Sequence, residues 1–166
     1  MEFPRSTGLA PVMGIQITRS QVIERAQSWL RPSVAYSQTD FHTNEYGTYR
    51  TDCSGYVSMA WALPGKPQDR HGGLDTIGLA GVSRTIAKHQ LRAGDVLLRT
   101  EGTGRTRHAT VFDRWADAAR DAYWGFEQAG GLGTVHRVIA YPYGNTSHGY
   151  RAVRFIGLIE KQERDR

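Results

Sequence analysis

The first part of the chain carries apolar residues at helical spacing. One stripe consists of Val22, Ile23, Ala26, Trp29 and Leu30. Residues three and four positions apart share one face of a helix, so this stripe predicts an amphipathic helix. Thr18 and Gln21 have the spacing of a capping box at its start, and Pro32 is expected to stop it.

A second apolar segment follows the only cysteine of the chain, Cys53, and stops at Pro64. We expect a short, mostly buried helix over residues 53–63. Strand-like apolar runs then occur at residues 96–99, 108–112, 123–128, 135–140 and 153–159. Helices that precede a block of strands are typical of an α+β fold with an antiparallel sheet, which here would have about five strands.

The remaining segments are expected to be loops or flexible chain around one domain. Residues 1–15 are rich in Pro and Gly and predict a flexible N-terminal segment, and residues 16–166 predict a single domain. Residues 37–51 form a long polar segment, and residues 64–83 predict an irregular, glycine-rich loop. We expect no membrane span, because no apolar run approaches the length of about 18 residues that one needs, and the first residues lack a signal-peptide layout.

Charge and cysteine content narrow the functional classes. The net charge is +5 and the sequence pI is about 9.6, but the basic residues are scattered along the chain. Scattered charge argues against a nucleic-acid interface and would suit an anionic polymer such as a bacterial cell wall. One cysteine excludes an internal disulfide and a multi-cysteine zinc site, and we expect neither a metal nor an organic cofactor.

The sequence Asp52-Cys53-Ser54-Gly55 lies where a polar loop turns into the second predicted helix. A helix N-terminus favours thiolate over thiol, and its backbone N–H groups can hold an oxyanion. A nucleophilic cysteine also needs a base, and His108 opens a predicted strand just after a glycine-rich turn. His42 is a weaker candidate for the base, and His136 is expected to have a structural role. The alternative interpretation of Cys53 is an inert residue of the core.

Three strings then resemble the motifs of one family, in its order and spacing. They are residues 50–57 around Cys53, residues 91–98 with Gly94-Asp95, and residues 108–112, which begin with His108. Together they resemble the NlpC-type papain-like cysteine peptidases, which are bacterial cell-wall endopeptidases. The resemblance implies a papain-like fold in which the cysteine begins a helix packed on the sheet.

The resemblance also implies roles for individual residues. Cys53 would be the nucleophile and His108 the general base. The third member would be a polar residue on the following strand, either Glu127 or Gln128, because strand alternation lets only one of them face the imidazole. Three further residues match a trio that holds a substrate amine in some members, and they are Tyr36, Asp52 and Ser54. Asp52 and Ser54 are also good helix caps.

The expected function is therefore hydrolysis of peptide bonds in peptidoglycan stem peptides by a secreted or cell-wall-associated monomer. Two alternatives remain open. The same fold could serve an amidase or an acyl transferase, although permuted acyltransferases place the histidine before the cysteine. The chain could also be a non-catalytic cell-wall-binding or toxin-like module.

Overall fold

A computed structural model of the protein describes residues 12, 14–144 and 148–160. Its α-helices are α1 (Arg19–Gln27), α2 (Cys53–Ala60) and α3 (Thr76–Gly81), with a 3₁₀ turn at Lys88–Gln90. Its strands are β1 (Ile17–Thr18), β2 (Phe41–Asn44), β3 (Gly47–Arg50), β4 (Ser83–Thr85), β5 (Val96–Arg99), β6 (His108–Trp115), β7 (Ala122–Ala129), β8 (Gly133–Ala140), β9 (Tyr150–Phe155) and β10 (Leu158–Ile159). None of the helices in these ranges is long and apolar enough to cross a membrane.

The main sheet has six strands in the order β4-β9-β5-β6-β7-β8, and every neighbouring pair is antiparallel. Two small sheets lie outside it, the parallel pair β1–β10 and the antiparallel hairpin β2–β3. This confirms the α+β class with an antiparallel sheet. The sheet has one strand more than expected, because β4 is only three residues long and begins at the last residue of the segment predicted to be irregular.

Helix α1 begins as its sequence predicts. The Thr18 hydroxyl accepts a hydrogen bond from Gln21 N at 3.2 Å, and the Gln21 side chain accepts one from Thr18 N at 2.9 Å. This reciprocal pair confirms the capping box. The helix ends at Gln27, before Trp29, yet Trp29 remains fully buried in the core.

Helix α2 is the centre of the molecule, since all eight of its residues are buried. It packs on α1, β6 and β7. The Tyr56 hydroxyl donates to Ala26 O at 2.6 Å, which ties α2 to α1. The helix stops at Ala60, earlier than expected, because Ala62 adopts a left-handed φ of 62° and turns the chain.

Three segments differ from the sequence-based expectation. The loop over residues 64–83 contains α3, which Asp75 caps by accepting from Gly78 N at 2.8 Å. The polar segment 37–51 contains the hairpin β2–β3, whose alternation is hidden because both faces are largely polar. The predicted run 153–159 is divided at Gly157, where a Cβ would collide with Ile15 O. Most of the segment 1–15 lies outside the described residues, but Val12 is buried.

Candidate active site

Cys53 is the first residue of α2, and the residues around it explain how the chain makes this turn. Asp52 caps the helix by accepting from Gly55 N at 2.8 Å. A Cβ on Gly55 would overlap the carbonyl oxygen of Arg50, so only glycine fits there. Cys53 is 8% exposed. The Asp-Cys-Ser-Gly sequence is therefore explained locally by a cap, a buried thiol and a close approach of two backbone segments.

His108 and Glu127 come together from neighbouring strands. His108 is the first residue of β6, Glu127 lies near the end of β7, and His108 Nε2 is 2.7 Å from Glu127 Oε1. The Cys53 thiol interacts with the same imidazole. Because Nε2 faces the carboxylate, Nδ1 is the ring nitrogen left for the sulfur. His108 and Glu127 therefore form a hydrogen-bonded pair, and Cys53 is one of the groups that raise the pKa of His108.

Glu127 is a fully buried carboxylate whose oxygens are well supplied with donors. Oε1 accepts from the hydroxyls of Tyr143, at 2.5 Å, and Thr110, at 3.3 Å, in addition to its contact with His108. Oε2 accepts from Arg137 Nε at 2.6 Å. A buried carboxylate that is paired and hydrogen-bonded in this way is held in one orientation and kept ionised.

The contacts shift both titratable groups toward their charged forms. Burial lowers the pKa of His108, but interactions with Cys53 and Glu127 outweigh this effect and raise its pKa to about 9. Burial raises the pKa of Glu127, but hydrogen bonds from His108 and Tyr143 and the charges of His108 and Arg137 lower its pKa to about 2. At neutral pH His108 is therefore an imidazolium paired with an ionised Glu127.

Gln128, the alternative third residue, faces away from the imidazole. Its Nε2 donates to Val34 O at 3.0 Å, to Ala35 O at 3.2 Å and to Thr51 O at 3.0 Å. Its Oε1 accepts from the hydroxyl of Thr134 at 2.6 Å. Of the two candidates only Glu127 contacts His108, and Gln128 instead ties the segments on the N-terminal side of Cys53 to the sheet.

Asp52 and Ser54 are held by Arg50, a residue that the sequence analysis did not single out. All five N–H groups of its guanidinium have acceptors in the protein. Nε donates to the Asp52 carboxylate at 2.7 Å, and Nη2 to the Ser54 hydroxyl at 2.9 Å. The other three N–H groups donate to backbone oxygens of His71, Gly73 and Leu74. The carboxylate and hydroxyl expected to hold a substrate amine are thus engaged within the protein.

Tyr36, the third residue of that expected trio, is half-buried. Its hydroxyl accepts from Gln38 Nε2 at 3.3 Å. Burial is the main effect that raises the pKa of Tyr36. Tyr36 also lines the cleft described next.

A cleft of about 530 Å³ opens beside His108. Its walls come from the β5–β6 loop, the β7–β8 turn, and the tyrosines Tyr36, Tyr143 and Tyr150. Four arginines also line it: Arg99, Arg105, Arg107 and Arg137. No described lining residue carries a negative charge, so the cleft beside the imidazole is strongly positive.

The rival histidines lie elsewhere. His42 packs edge-on against Trp29, with ring centroids 5.2 Å apart. His136 Nε2 lies 3.0 Å from Asp113, and its ring stacks on Phe126. Both rings therefore have partners other than Cys53. Within the described ranges, no three His, Cys, Asp or Glu side chains are grouped in a way that could hold a metal ion.

Arg137 and Tyr143 complete the surroundings of Glu127, and neither contact is among the sequence-based expectations. Arg137 could have been found from the hairpin register. Glu127 pairs with Val135, which places Arg137 two residues further along the same face of β8. Tyr143 comes from the turn after β8, where no periodicity indicates which side chain returns to the sheet.

Comparison with known proteins adds no relative. No protein-family model matches the chain, and no curated protein matches it significantly. The function proposed below therefore depends on the residues of the chain, their contacts and the motif resemblance.

Proposed function

We propose that the protein is a cysteine peptidase of the NlpC type, with a papain-like fold, that hydrolyses peptide bonds in bacterial peptidoglycan stem peptides. One observation carries the proposal. Cys53, at the N-terminus of the buried helix α2, interacts with His108, and His108 is hydrogen-bonded to the buried Glu127. A nucleophile, a base and a residue that orients the base are the parts that covalent acyl transfer needs.

The first half of the reaction breaks the peptide bond. The Cys53 thiolate attacks the scissile carbonyl carbon and forms a tetrahedral oxyanion, which the backbone N–H groups at the start of α2 stabilise. The His108 imidazolium then donates its proton to the leaving nitrogen. The C–N bond breaks, the amine leaves, and the acyl group remains on the sulfur as a thioester.

The second half releases the acyl group. His108, now neutral, takes a proton from a water molecule while the water oxygen attacks the thioester. The C–S bond breaks, the carboxylic acid leaves, and the proton on His108 restores the imidazolium beside the thiolate. Glu127 holds the ring orientation and the charge of the imidazolium throughout, and Arg137 and Tyr143 hold Glu127.

The substrate class follows from the motif resemblance and is supported by the charge of the cleft. Peptidoglycan stems carry carboxylates, and the cleft lined by His108 carries four arginines. The cleft borders His108, so a substrate bound in it would lie beside the proposed catalytic base. Of the trio expected to bind substrate, Tyr36 lines the cleft, whereas Asp52 and Ser54 act through the helix cap and Arg50. A cell-wall substrate places the working protein outside the cytoplasm.

The experiment is digestion of purified peptidoglycan by the wild-type protein and by Cys53→Ala. Fragments are separated by chromatography and identified by mass, and new amino termini are labelled with dinitrofluorobenzene. We expect new amino termini within the stem peptides from the wild type only. His108→Gln should abolish their release, whereas His136→Gln serves as the matched histidine control and should leave it unchanged.

The products also separate the alternatives. Intact stem peptides released from the sugar would identify an amidase instead of a peptidase. Wall digestion that persists in Cys53→Ala would contradict nucleophilic catalysis by this residue. Binding to peptidoglycan with no fragment released, by a folded wild-type protein, would support the non-catalytic module.

A further inference from the structure

Three arginines line the cleft beside His108 and have no described hydrogen bond to Cys53, His108 or Glu127. We name Arg99, Arg105 and Arg107 the arginine rim; Arg99 ends β5, and the other two lie on the loop that leads to His108. The fourth arginine, Arg137, is different because its guanidinium is paired with Glu127 at 2.6 Å. No member of the rim forms an ion pair with another described residue.

Arg99 carries the clearest sign of an absent partner. Its Nε is buried, and no described residue accepts a hydrogen bond from it. A buried, charged donor without an acceptor is costly, so such groups usually have a partner during function. Glu101, an acidic residue on the β5–β6 loop, has a side chain that is 60% exposed and lies 3.6 Å from His148. It does not line the cleft.

The sheet register fixes where a ligand of Arg99 would lie. Arg99 is directly opposite His108 in the antiparallel pair β5–β6. Opposite residues of such a pair have Cβ atoms about 5 Å apart on the same face of the sheet. An anion held by Arg99 would therefore lie beside the imidazole, within about one residue of a carbonyl carbon attacked by Cys53.

We infer that the arginine rim is a subsite for a free carboxylate on a residue that flanks the scissile bond. The inference rests on the proposed peptidase function. Arginine suits this task, because its planar fork can donate two parallel hydrogen bonds to a carboxylate. Substrates with that carboxylate free are preferred, and substrates with it amidated are rejected, because the guanidinium groups are then left without an anion.

The test compares two alkylating agents that differ in one negative charge. Iodoacetate carries a carboxylate next to its reactive carbon, and iodoacetamide carries a neutral amide. Rates of Cys53 alkylation are measured at pH 7 and constant ionic strength for the wild type and for Arg99→Gln/Arg105→Gln. We expect the iodoacetate-to-iodoacetamide rate ratio to fall at least tenfold in the double variant, with the iodoacetamide rate changed less than twofold.

A matched control variant, and the contribution that His108 makes to the rate in every protein, keep the outcomes distinct. Arg84→Gln removes one exposed arginine from β4, at the far edge of the sheet, and should keep the wild-type ratio. His108 contributes equally in all of these proteins, so its charge cancels in the comparison. An unchanged ratio with rapid iodoacetamide reaction would overturn the subsite and leave the peptidase proposal standing. If Cys53 instead reacts slowly with iodoacetamide, and at the same rate in the wild type and in His108→Gln, the peptidase proposal is overturned.

Protection experiments identify the anion. Glutarate should slow iodoacetamide alkylation of the wild type but not of the double variant, and the neutral glutaramide should protect neither protein. Protection by inorganic phosphate in the absence of protection by glutarate, at equal ionic strength, would contradict a carboxylate subsite and indicate a phosphate site. Equal protection by glutarate and glutaramide would contradict any role for charge.

Discussion

Two arginines of the candidate site, Arg50 and Arg99, differ in whether their N–H groups have acceptors within the protein. Arg50 donates all five of its N–H groups to acceptors within the chain and neutralises Asp52. Arg99 lies on the cleft side, and its buried Nε has no acceptor among the described residues. Both are arginines next to the same candidate site, yet one completes the fold and the other leaves a donor for something outside it.

This difference separates residues that build a site from residues that receive a ligand. A side chain with every polar group satisfied gains nothing from a ligand, and its removal leaves buried partners unpaired. A buried charged donor without a partner costs the fold, and a bound anion removes that cost. On this criterion, Arg50 and Glu127 belong to the folded framework, and Arg99 belongs to the cleft.

The largest expected effect is the loss of stability in Arg50→Met. The side chains of Arg50 and Asp52 are 12% and 13% exposed, and the variant leaves a mostly buried carboxylate unpaired. We expect a loss of about 3 kcal/mol in the free energy of unfolding, measured by urea denaturation. The control is Arg92→Met, whose side chain is 62% exposed and pairs with Glu160. It should cost less than about 1 kcal/mol, and equal losses in the two variants would contradict the account of Arg50.

Gly55→Ala tests the same framework through the backbone. The new Cβ would overlap the backbone carbonyl of Arg50. We expect a loss of about 2 kcal/mol of unfolding free energy, from overpacking, in the same denaturation experiment. Gly81→Ala is the matched control, because no atom lies within 4 Å of its Cβ position. Equal stability of the two variants would show that the Asp-Cys-Ser-Gly turn is not constrained in this way.

The Glu127–His108 pair predicts a pH profile of stability. The carboxyl pKa is lowered from 4.5 to about 2, so the stability it contributes is present above pH 4.5 and is lost as pH falls toward 2. The imidazole pKa is raised from 6.5 to about 9, so its contribution is complete below pH 6.5 and is lost as pH rises through 9. Thermal denaturation at constant ionic strength should therefore show the fullest contribution of the pair between pH 4.5 and 6.5.

Glu127→Gln should change both sides of this profile. The acid-side loss due to this carboxyl disappears, and the alkaline loss moves to lower pH, because the imidazolium loses a stabilising anion. Glu101→Gln is the control, since this carboxylate is 60% exposed, and it should keep the wild-type profile. An alkaline loss at the same pH in Glu127→Gln and in the wild type would mean that Glu127 does not stabilise the imidazolium.

The smallest expected effect is that of Arg99→Met on stability. This change removes a buried donor that lacks an acceptor, so the fold loses no described hydrogen bond of Nε. We expect the unfolding free energy to stay within about 0.5 kcal/mol of the wild type, or to rise. A loss as large as that of Arg50→Met would place Arg99 in the framework and remove the distinction between the two arginines.

Local patterns in the sequence predict part of this structure correctly. The capping box of Thr18 and Gln21, the strand Val96–Arg99 and the helix that begins at Cys53 each depend on neighbouring residues, and all three occur. The proximity of Cys53, His108 and Glu127 came from a family resemblance. Strand alternation allows either Glu127 or Gln128 to face the imidazole, and the structure shows that the face of β7 toward His108 carries Glu127.

The missed features depend on contacts between distant parts of the chain. Three of the five acceptors of Arg50 lie on a loop more than twenty residues downstream, and that loop has no periodicity. Tyr143 reaches Glu127 from a turn. The strand β4 is three residues long, which is too short for alternation to distinguish it from loop. These features require the three-dimensional path of the chain, which residue spacing alone does not specify.

The most direct test of the central claim is the rate of Cys53 alkylation by iodoacetamide between pH 4 and 10, in the wild type and in His108→Gln. An imidazolium beside the sulfur should make the wild type react rapidly at pH 6, with little further gain up to pH 8. His108→Gln should be at least tenfold slower at pH 6 and should accelerate with pH like an ordinary cysteine, whose pKa is about 8.5. The same ordinary profile in both proteins would contradict a Cys53–His108 catalytic unit.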